Sequence, residues 1–457
     1  MLSVDEIIKS TQGVLLSPGF ERGIHGYSID SRTIKKGEAF IAIKGDNFDG
    51  HKFIGQAIKK GASCIIASSK AKVKIPARVA FIKVADTQKA LGDIARSLRV
   101  KYNIPVIAIS GSVGKTTAKE MLAWVLSAKF KVLSNEGTKN NHIGMPLTLC
   151  SLNKNHNLAV LELGTNHFGE IENLSRICLP NIGIITNIGP AHLEHFGNLR
   201  GVFKEKYTLI KNLKEPCLAV LNADDSHLRK SILSFKPNPF TISFGIRNSA
   251  DFSASGIRYG RKGIEFLVNG KHKFILNTAG ANNIYNALIA ISLARSFGLS
   301  YKTIIQRLAC FSFPRGRLNS RVLNNVRFID DTYNSNPLSL GQALEALKKI
   351  PAKRKIFVMG DMLELGRRFG AFHREAGFNA ARICDIFITV GKLSALAAKQ
   401  AAACGMSAEN IFHFDSAGEA AGILRKKVFL KKGDVILAKG SRAMKIEEVL
   451  RRLMDVI

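Results

Sequence analysis

The stretch IPVIAISGSVGKTTAKEMLAWVL, residues 104–126, joins an apolar run to a glycine-rich turn and then to a second apolar pattern. The residues before the turn are rich in β-branched side chains, which predicts a buried parallel strand. After Lys115 the apolar residues Met121, Leu122 and Val125 recur at helical spacing. The stretch therefore predicts a strand, a glycine loop and a helix in direct succession.

A strand, a glycine loop and a helix in this order form a cradle for phosphate groups. Gly111 and Gly114 let the backbone N–H groups turn inward, and the new helix adds unpaired amides and the positive end of its dipole. Lys115 adds a point charge, and the Thr116 hydroxyl can hold Mg²⁺. The loop is shorter than the common P-loop, because Ile109 stands where that pattern has its first glycine. We expect a nucleoside triphosphate, bound by Gly111, Ser112, Val113, Gly114, Lys115, Thr116 and Thr117.

The composition indicates a globular chain of several domains. The 457 residues exceed what one hydrophobic core usually spans, and 46% of them are hydrophobic. No run of about 18 apolar residues occurs, and the N-terminal MLSVDEIIKS is acidic and amphipathic, unlike an export signal. The seven cysteines are scattered without a C-x-x-C pair, which is typical of reduced thiols. We therefore expect a cytoplasmic protein without a membrane span.

The formal net charge of +32 raises the question of a nucleic-acid partner, since Lys and Arg neutralise phosphates. The basic residues form short groups along the whole chain, such as Lys35-Lys36 and Lys348-Lys349, without interleaved aromatic residues that would stack on bases. A solvated basic surface and an attraction for anionic substrates explain the charge more simply. A P-loop protein that binds nucleic acid is the alternative from another class, and it would bind DNA with steep salt dependence.

Alternating helical and strand patterns predict an α/β protein of three domains. Residues 1–85 predict a small N-terminal α/β domain with three short strands. Residues 86–312 predict a central P-loop-type domain with a mostly parallel sheet and an antiparallel annex at 251–276. Residues 313–457 return to a doubly wound pattern, which predicts a C-terminal Rossmann-like domain, although the G-x-G-x-x-G dinucleotide motif is missing.

Polar side chains follow several of the predicted parallel strands, at the edge where open α/β sheets bind ligands. Glu162 closes the second strand of the central domain and offers a carboxylate to a nucleotide-bound Mg²⁺. His192 follows the third strand. In the third domain the loops Asp330–Pro337 and Gly360–Gly366 follow the first two strands. Such loops suit an amine or a peptide backbone, and they also suit a plain helix cap.

The motifs of all three domains together resemble those of the Mur ligase family, in the family's order. The pair D-T-Y-N-S-N-P and M-G-D-M-L-E-L-G in the third domain distinguishes one member of the family from its siblings. The combination is far more specific than any single motif. The similar segments are Gly111–Thr117, Asn140–Gly144, Glu162–Asn166, Asn187–Glu194, Asn282–Asn286, Arg315–Arg317, Asp331–Pro337 and Gly360–Gly366.

The resemblance implies an ATP-dependent ligase that adds D-alanyl-D-alanine to UDP-N-acetylmuramoyl-tripeptide in peptidoglycan precursor synthesis. ATP would convert the tripeptide carboxylate into an acyl phosphate, which the dipeptide amine then attacks. The implied cofactors are ATP and Mg²⁺, the partners are small-molecule substrates without nucleic acid, and we expect a monomer. Folylpolyglutamate synthase, which shares the short phosphate loop and the chemistry, is the nearer alternative, but it lacks a UDP-binding first domain.

The resemblance also implies roles for individual residues. Lys206 matches a lysine that is often carbamylated in the family. Without the resemblance, the polar loops Ser28–Arg32 and Lys44–His51 would be interpreted as turns. The implied catalytic residues are Lys115, Lys206 and His192; the metal ligands are Thr116, Glu162 and His192; the further nucleotide contacts are Asn283, Arg317 and Asp331. The implied dipeptide contacts are Asp331, Asn334 and Asn336, and the implied UDP-substrate contacts are Ser31, Arg32, Lys44, Gly45, Asn140 and Asn166.

Overall fold

The structure is a computed structural model that describes residues 1–19, 23–45, 48–68, 74–234, 240–260, 263–427 and 430–455. Two predicted segments fall partly outside the described residues. These parts are Asp46 and Asn47 of the Lys44–His51 loop, and Arg261 and Lys262 of the annex.

The first domain is a small sheet covered by helices. Its described elements are α1 (Val4–Thr11), β1 (Val14–Ser17), β2 (Tyr27–Ser28), β3 (Ala39–Ile41), α2 (Ile54–Lys59), β4 (Cys64–Ser68) and β5 (Ala80–Val84). The sheet order is β1-β5-β4-β3-β2, with β1 antiparallel to β5 and the other pairs parallel. The sequence prediction did not include β1 and β5.

The central domain is built on the predicted strand, loop and helix. Its first elements are α3 (Thr87–Tyr102), β6 (Val106–Ser110), α4 (Lys115–Leu126), β7 (Val132–Ser134), α5 (Gly144–Leu149), β8 (Leu158–Glu162), α6 (Glu170–Cys178), β9 (Ile182–Ile185), α7 (Leu193–Phe196) and α8 (Leu199–Lys211). The later elements are β10 (Leu218–Asn222), α9 (Ser226–Ser234), β11 (Phe240–Gly245), β12 (Phe252–Gly260), β13 (Gly263–Val268), β14 (His272–Leu276), α10 (Asn283–Ser296) and α11 (Tyr301–Ala309).

The central sheet runs in the order β14-β13-β12-β11-β10-β9-β6-β8-β7. The pairs from β12 to β7 are parallel, whereas β12, β13 and β14 pair in antiparallel fashion and form the predicted annex. The strand β6 is fully buried and lies between β9 and β8. The loop after β6 therefore opens at the sheet's carboxyl edge between the ends of β9 and β8, and ligands of open α/β sheets bind at this edge.

The third domain is a second, mostly parallel sheet. Its described elements are β15 (Asn319–Leu323), β16 (Val326–Asp331), α12 (Pro337–Lys349), β17 (Arg354–Gly360), α13 (Phe369–Ala381), β18 (Ile386–Val390), α14 (Ala395–Ala403), β19 (Ile411–Phe414), α15 (Ala417–Lys427), β20 (Asp434–Lys439) and α16 (Ile446–Met454). The sheet order is β15-β16-β20-β17-β18-β19, and β15 is the antiparallel edge strand. The short strands β15 and β19 were not predicted.

Helix α3 joins the first domain to the central one, because it packs on α1 and also on α5 and α6. Residues of both domains accordingly share one hydrophobic core, which continues from Ile7 through Leu91 to Val106. All seven cysteines are free, and Cys310 and Cys404 are the exposed ones. In the described ranges, no helix combines the length and the apolar character that crossing a membrane requires.

A buried ion pair in the third domain gives a stability prediction. Asp434 begins β20 with a fully buried side chain, and its carboxylate accepts from Arg354 Nε at 3.0 Å and Nη2 at 2.6 Å. Asp434→Ala removes both of these hydrogen bonds and also the one that the Lys431 amide donates to Asp434 Oδ2 at 2.7 Å, and bonds to a buried charged group are strong ones. We expect Asp434→Ala to lower the free energy of unfolding by about 3 kcal/mol, measured by urea denaturation.

The control is Glu172→Ala, which removes an exposed pair with Arg176 in α6. Exposed pairs contribute less than about 1 kcal/mol, so this variant should unfold close to the wild type. If both variants unfolded at the same urea concentration, the Asp434–Arg354 pair would contribute no more to the free energy of unfolding than the exposed Glu172–Arg176 pair does.

Candidate active site

A cleft between the central and third domains collects most of the side chains that the sequence predicts for a site. It encloses a cavity of about 720 Å³. Its walls are the phosphate loop, the ends of β8 and β9, the start of α10 and the loops after β16, β17 and β20. The predicted residues that line it are Ser112, Val113, Gly114, Lys115, Thr116, Thr117, Asn140, Glu162, Asn166, His192, Asn283, Arg317, Asp331, Asn334 and Asn336.

The phosphate loop needs glycine at two positions. Gly111 and Gly114 have φ angles of +146° and +88°, a region that favours glycine. A Cβ atom on Gly111 would lie 2.0 Å from Thr186 Oγ1, and one on Gly114 would lie 2.9 Å from Asn286 Oδ1. Thr186 Oγ1 also donates to the Val113 carbonyl at 2.6 Å. The loop is therefore held against the end of β9, with no space for side chains at the two glycines.

The amides at the start of α4 and the side chain of Lys115 face the cavity together. In the described structure no side chain caps α4 at Gly114, so its first N–H groups are available to an anion. Lys115 Nζ donates to the Gly111 carbonyl at 2.8 Å. Burial lowers the pKa of Lys115, nearby Glu162 raises it, and nearby Arg317 lowers it further. This arrangement suits a bound polyanion, which would supply the missing negative charge.

The residues around Glu162 fit a divalent cation. Glu162 is buried at the end of β8, and its Oε1 accepts from Asn140 Nδ2 at 2.6 Å. Its Oε2 is buried and has no hydrogen-bond partner among the described residues. Thr116 adds a hydroxyl, which accepts from Arg317 Nη2 at 3.2 Å. Among the described residues no three His, Cys, Asp or Glu side chains form a metal cluster, so phosphate and water oxygens would complete the shell, as is usual for Mg²⁺.

Lys206 lies in α8 with its side chain almost completely buried. No hydrogen bond or ion pair of its ammonium group occurs among the described residues. Burial lowers its pKa well below the usual value, the charge of Lys115 lowers it further, and Glu205 and Glu162 partly oppose this. Glu205 is itself engaged, because its carboxylate accepts from the amides of Gly169 and Ile171 at 2.9 and 2.8 Å. These surroundings therefore disfavour the charged form of Lys206.

The wall contributed by the third domain is organised by Lys439, at the end of β20. Lys439 is buried, and its Nζ donates to Asp331 Oδ2 at 2.6 Å and to the Asn334 carbonyl at 3.0 Å. Burial raises the pKa of Asp331, and Lys439 opposes this shift. Lys439 thus fixes the loop that begins at Asp331.

The predicted ligand residues Asn336 and Asn283 also support local structure at the starts of helices. Asn336 Oδ1 accepts from the Ser339 amide at 2.9 Å and caps α12, as the alternative interpretation of this loop stated. Asn283 Nδ2 donates to Thr278 Oγ1 at 2.9 Å at the start of α10. Both side chains line the cavity, so a cap or a turn and a ligand contact are compatible at these positions.

Among the described residues, three side-chain hydrogen bonds connect the central and third domains. The first is that between Arg317 and Thr116. In the second, Tyr333 OH donates to Thr138 Oγ1 at 2.8 Å, while within the third domain the Tyr333 ring stacks on the Arg317 guanidinium at 4.0 Å. His192 Nδ1 lies 2.5 Å from Glu364 Oε2, and this hydrogen bond lowers the pKa of Glu364. The domains are therefore docked around the cavity.

The predicted UDP contacts of the first domain do not line this cavity. Ser31 Oγ donates to Gln56 Oε1 at 2.9 Å, and Arg32 pairs with Asp30 at 2.8 Å with its side chain 80% exposed. Lys44 and Gly45 likewise belong to the first domain. The structure therefore keeps these residues apart from the phosphate loop.

Sequence reasoning missed Tyr333, Glu364 and Lys439, which all line the cavity. Tyr333 and Glu364 belong to the two motifs of the third domain. The motifs could have pointed to these residues, but no role was predicted for either of them. Lys439 had a weaker signal, namely a lysine directly at the end of an apolar strand.

Three models of protein-family domains match successive parts of this chain. The model described as "Mur ligase family, catalytic domain" matches residues 23–99, "Mur ligase middle domain" matches residues 109–294, and "Mur ligase, glutamate ligase domain" matches residues 316–442.

Individual relatives cover nearly the entire chain. The UDP-N-acetylmuramoyl-tripeptide–D-alanyl-D-alanine ligase of Haemophilus influenzae is 36% identical over 446 residues, which are 94% of this chain and 93% of the relative. A crystal structure of MurF from Acinetobacter baumannii has a TM-score of 0.88 at 31% identity, covering 99% of this chain and 98% of its own. The MurF ligase of Thermotoga maritima in complex with ADP has a TM-score of 0.83 at 30% identity, covering 95% of this chain and 98% of its own.

Proposed function

The chain belongs to the Mur ligase family, and from this premise we propose that it joins D-alanyl-D-alanine to UDP-N-acetylmuramoyl-tripeptide and converts ATP into ADP and phosphate. The observation that carries the proposal is the cleft in which the phosphate loop faces the D-T-Y-N-S-N-P loop of the third domain. The whole-chain likeness to ligases with this name supports the same substrates.

The first half of the reaction would take place at the phosphate loop. The α4 amides and Lys115 would hold the ATP phosphates, and Arg317 would reach them from the third domain, since it already contacts Thr116. The carboxylate of the tripeptide attacks the terminal phosphoryl group, the bond to ADP breaks, and an acyl phosphate forms. Positive charge is needed because a carboxylate and ATP repel each other.

We propose that Thr116, Glu162 and His192 are the protein groups that hold Mg²⁺. The free Oε2 of Glu162 and the Thr116 hydroxyl are the hard oxygen donors that this cation prefers. When bound, Mg²⁺ neutralises charge on the ATP phosphates and on the transferring group. Asn140 orients Glu162 through its 2.6 Å hydrogen bond, and it also lines the cavity, where we propose that it contacts the UDP substrate as the resemblance implies.

The second half would use the third domain. The amine of the dipeptide attacks the acyl carbon, the C–N bond forms, and phosphate leaves as the amine gives up a proton. Asp331, Asn334 and Asn336 line the cavity opposite the phosphate loop and would receive the dipeptide. Lys439 keeps this loop in place through Asp331 and the Asn334 carbonyl.

The first domain would hold the UDP end of the substrate through Ser31, Arg32, Lys44 and Gly45. These residues lie apart from the phosphate loop, and the substrate is long enough to reach both places, because a sugar and a tripeptide separate its UDP from the reacting carboxylate. Three extended residues alone span about 10 Å. We also propose that the protein is a monomer, as the family resemblance implies, and that it works in the cytoplasm, where ATP is available.

Product analysis tests the proposal. The protein is incubated with ATP, Mg²⁺, UDP-N-acetylmuramoyl-tripeptide and D-alanyl-D-alanine, and the product mass is measured. We expect the UDP-pentapeptide in equal amount to ADP and phosphate, and none after EDTA is added. A parallel reaction with folate and glutamate should give no product. Ligation in the folate reaction alone would favour the folylpolyglutamate alternative.

Docking of the third domain gives a further prediction. The phosphates and the dipeptide loop belong to different domains, and an amine must come within about 3 to 3.5 Å of the acyl carbon. The structure shows the docked arrangement, and we expect the ligand-free protein in solution to be more open, so that an ATP analogue together with UDP-tripeptide reduces the radius of gyration measured by X-ray scattering. An unchanged radius in an active preparation whose ligand-free form is open would contradict this expectation.

A further inference from the structure

Glu364 lies in a loop of the third domain that is fixed on several sides. The Met362 amide donates to His373 Nε2 at 3.1 Å, and the Leu363 amide donates to Ser441 Oγ at 2.9 Å. These bonds hold the two residues before Glu364 against α13 and against the loop after β20.

The base of the same loop is fixed as well. The carboxylate of Asp361 accepts from the amides of Ser394 at 2.7 Å and Leu393 at 3.2 Å, and the Asp361 carbonyl accepts from the Ser441 amide at 3.0 Å. Partners from three parts of the third domain therefore determine where the Glu364 side chain is placed. Sites built on such support are more precise than sites on free loops.

Glu364 and its partner His192 both have an unusual backbone. Their φ angles are +61° and +51°, in the left-handed region that costs conformational free energy for residues other than glycine. The two side chains meet at 2.5 Å across the boundary between the domains. The Glu194 amide adds a longer contact to the Glu364 carbonyl at 3.4 Å. Strained residues persist where the surroundings hold them, and they cluster at functional sites.

Stability alone does not explain this contact. The Glu364 side chain is 50% exposed and that of His192 is 26% exposed, and exposed ion pairs contribute little to stability. The contact joins two strained residues and adds little to the free energy of unfolding. Its role is therefore better explained by the orientation that it gives to the His192 imidazole ring.

We propose that Glu364 is a positioning residue, which orients the His192 ring from the third domain and so completes the cation-binding edge of the central domain on docking. This inference rests on the proposed role of His192 toward Mg²⁺. A carboxylate at Nδ1 keeps the proton on that nitrogen, so that Nε2 presents its lone pair. Cation binding and domain docking would thus be coupled through one hydrogen bond.

The test measures cation affinity without turnover. Mn²⁺ replaces Mg²⁺, and electron paramagnetic resonance measures the concentration of free Mn²⁺ in the presence of the protein, a non-hydrolysable ATP analogue and UDP-tripeptide. The variants are Glu364→Gln, His192→Ala and the double variant. Glu375→Gln is the matched control, because it makes the same chemical change at an exposed position of α13 outside the cavity. Thermal melts verify that each variant is folded.

We expect Glu364→Gln to weaken Mn²⁺ binding about 10- to 100-fold, the usual effect of losing a partner of a metal-binding histidine. The double variant should be no weaker than His192→Ala, since Glu364 acts through His192. Glu375→Gln should bind Mn²⁺ like the wild type.

Three results would overturn the inference. The first is wild-type Mn²⁺ affinity in Glu364→Gln while His192→Ala is weakened. The second is an additive loss in the double variant, which would mean that Glu364 acts on its own. The third is unchanged affinity in His192→Ala, which removes the premise as well. A wild-type protein that binds Mn²⁺ as expected but forms no UDP-pentapeptide would count against the proposed function and leave the role of Glu364 intact.

Discussion

Lys115→Ala is expected to reduce ligase turnover about 1,000-fold and to leave the protein folded. Lys115 Nζ contacts the Gly111 carbonyl of the phosphate loop, and burial lowers its pKa. A bound polyphosphate favours the charged form, so the ammonium group is available when charge develops on the transferring phosphoryl group. Its single hydrogen bond in the described structure contributes little to stability, and removing a partly buried charge offsets that loss.

The measurement is the rate of ADP formation with all substrates saturating, together with the thermal midpoint of each variant. Lys89→Ala serves as the matched control, because Lys89 is an exposed lysine of α3 that pairs only with Asp93 among the described residues. The control should show wild-type turnover. Turnover of Lys115→Ala near the wild-type rate would remove the assignment of the phosphate loop.

The parts of the site that the sequence predicts correctly are local in the chain. The strand β6, the glycine loop and α4 were predicted from one continuous stretch of 23 residues. This stretch contains the apolar run, the glycines, the lysine and the helical spacing of apolar residues on which the prediction depends. Glu162 and His192 were found because each follows an apolar run, and strand ends of a parallel sheet share one edge.

The parts that were missed depend on partners far away in sequence. Lys439 meets Asp331 across 108 residues, and Tyr333 meets Thr138 across 195 residues, so no local pattern reports either contact. The strand β1 was missed for a different reason, since its side chains are mostly exposed and show no alternation. The domain limits at 85 and 312 stay predictions. At residue 85 no gap in the packing of the described residues separates the first two domains, because α3 packs on both of them.

Lys206→Ala is expected to lose nearly all activity and to regain part of it with acetate or formate. We propose that the working form of Lys206 is a carbamate, as the family resemblance implies. Burial and the charge of Lys115 lower the pKa of Lys206 well below its usual value, which makes the neutral amine easier to form. A neutral amine adds to carbon dioxide, forming an N–C bond and releasing a proton. The product is an anion, which the nearby Lys115 stabilises.

The added carboxylate would occupy the space that the side chain leaves and supply the missing negative charge. Turnover is measured against acetate and formate concentration, with chloride at the same ionic strength as the salt control. Lys204→Ala is the matched variant, because Lys204 is an exposed lysine on the same helix. It should keep full activity and show no response to either acid. If Lys206→Ala stayed inactive at every acid concentration and mass analysis found Lys206 unmodified, the ammonium form would be the working one.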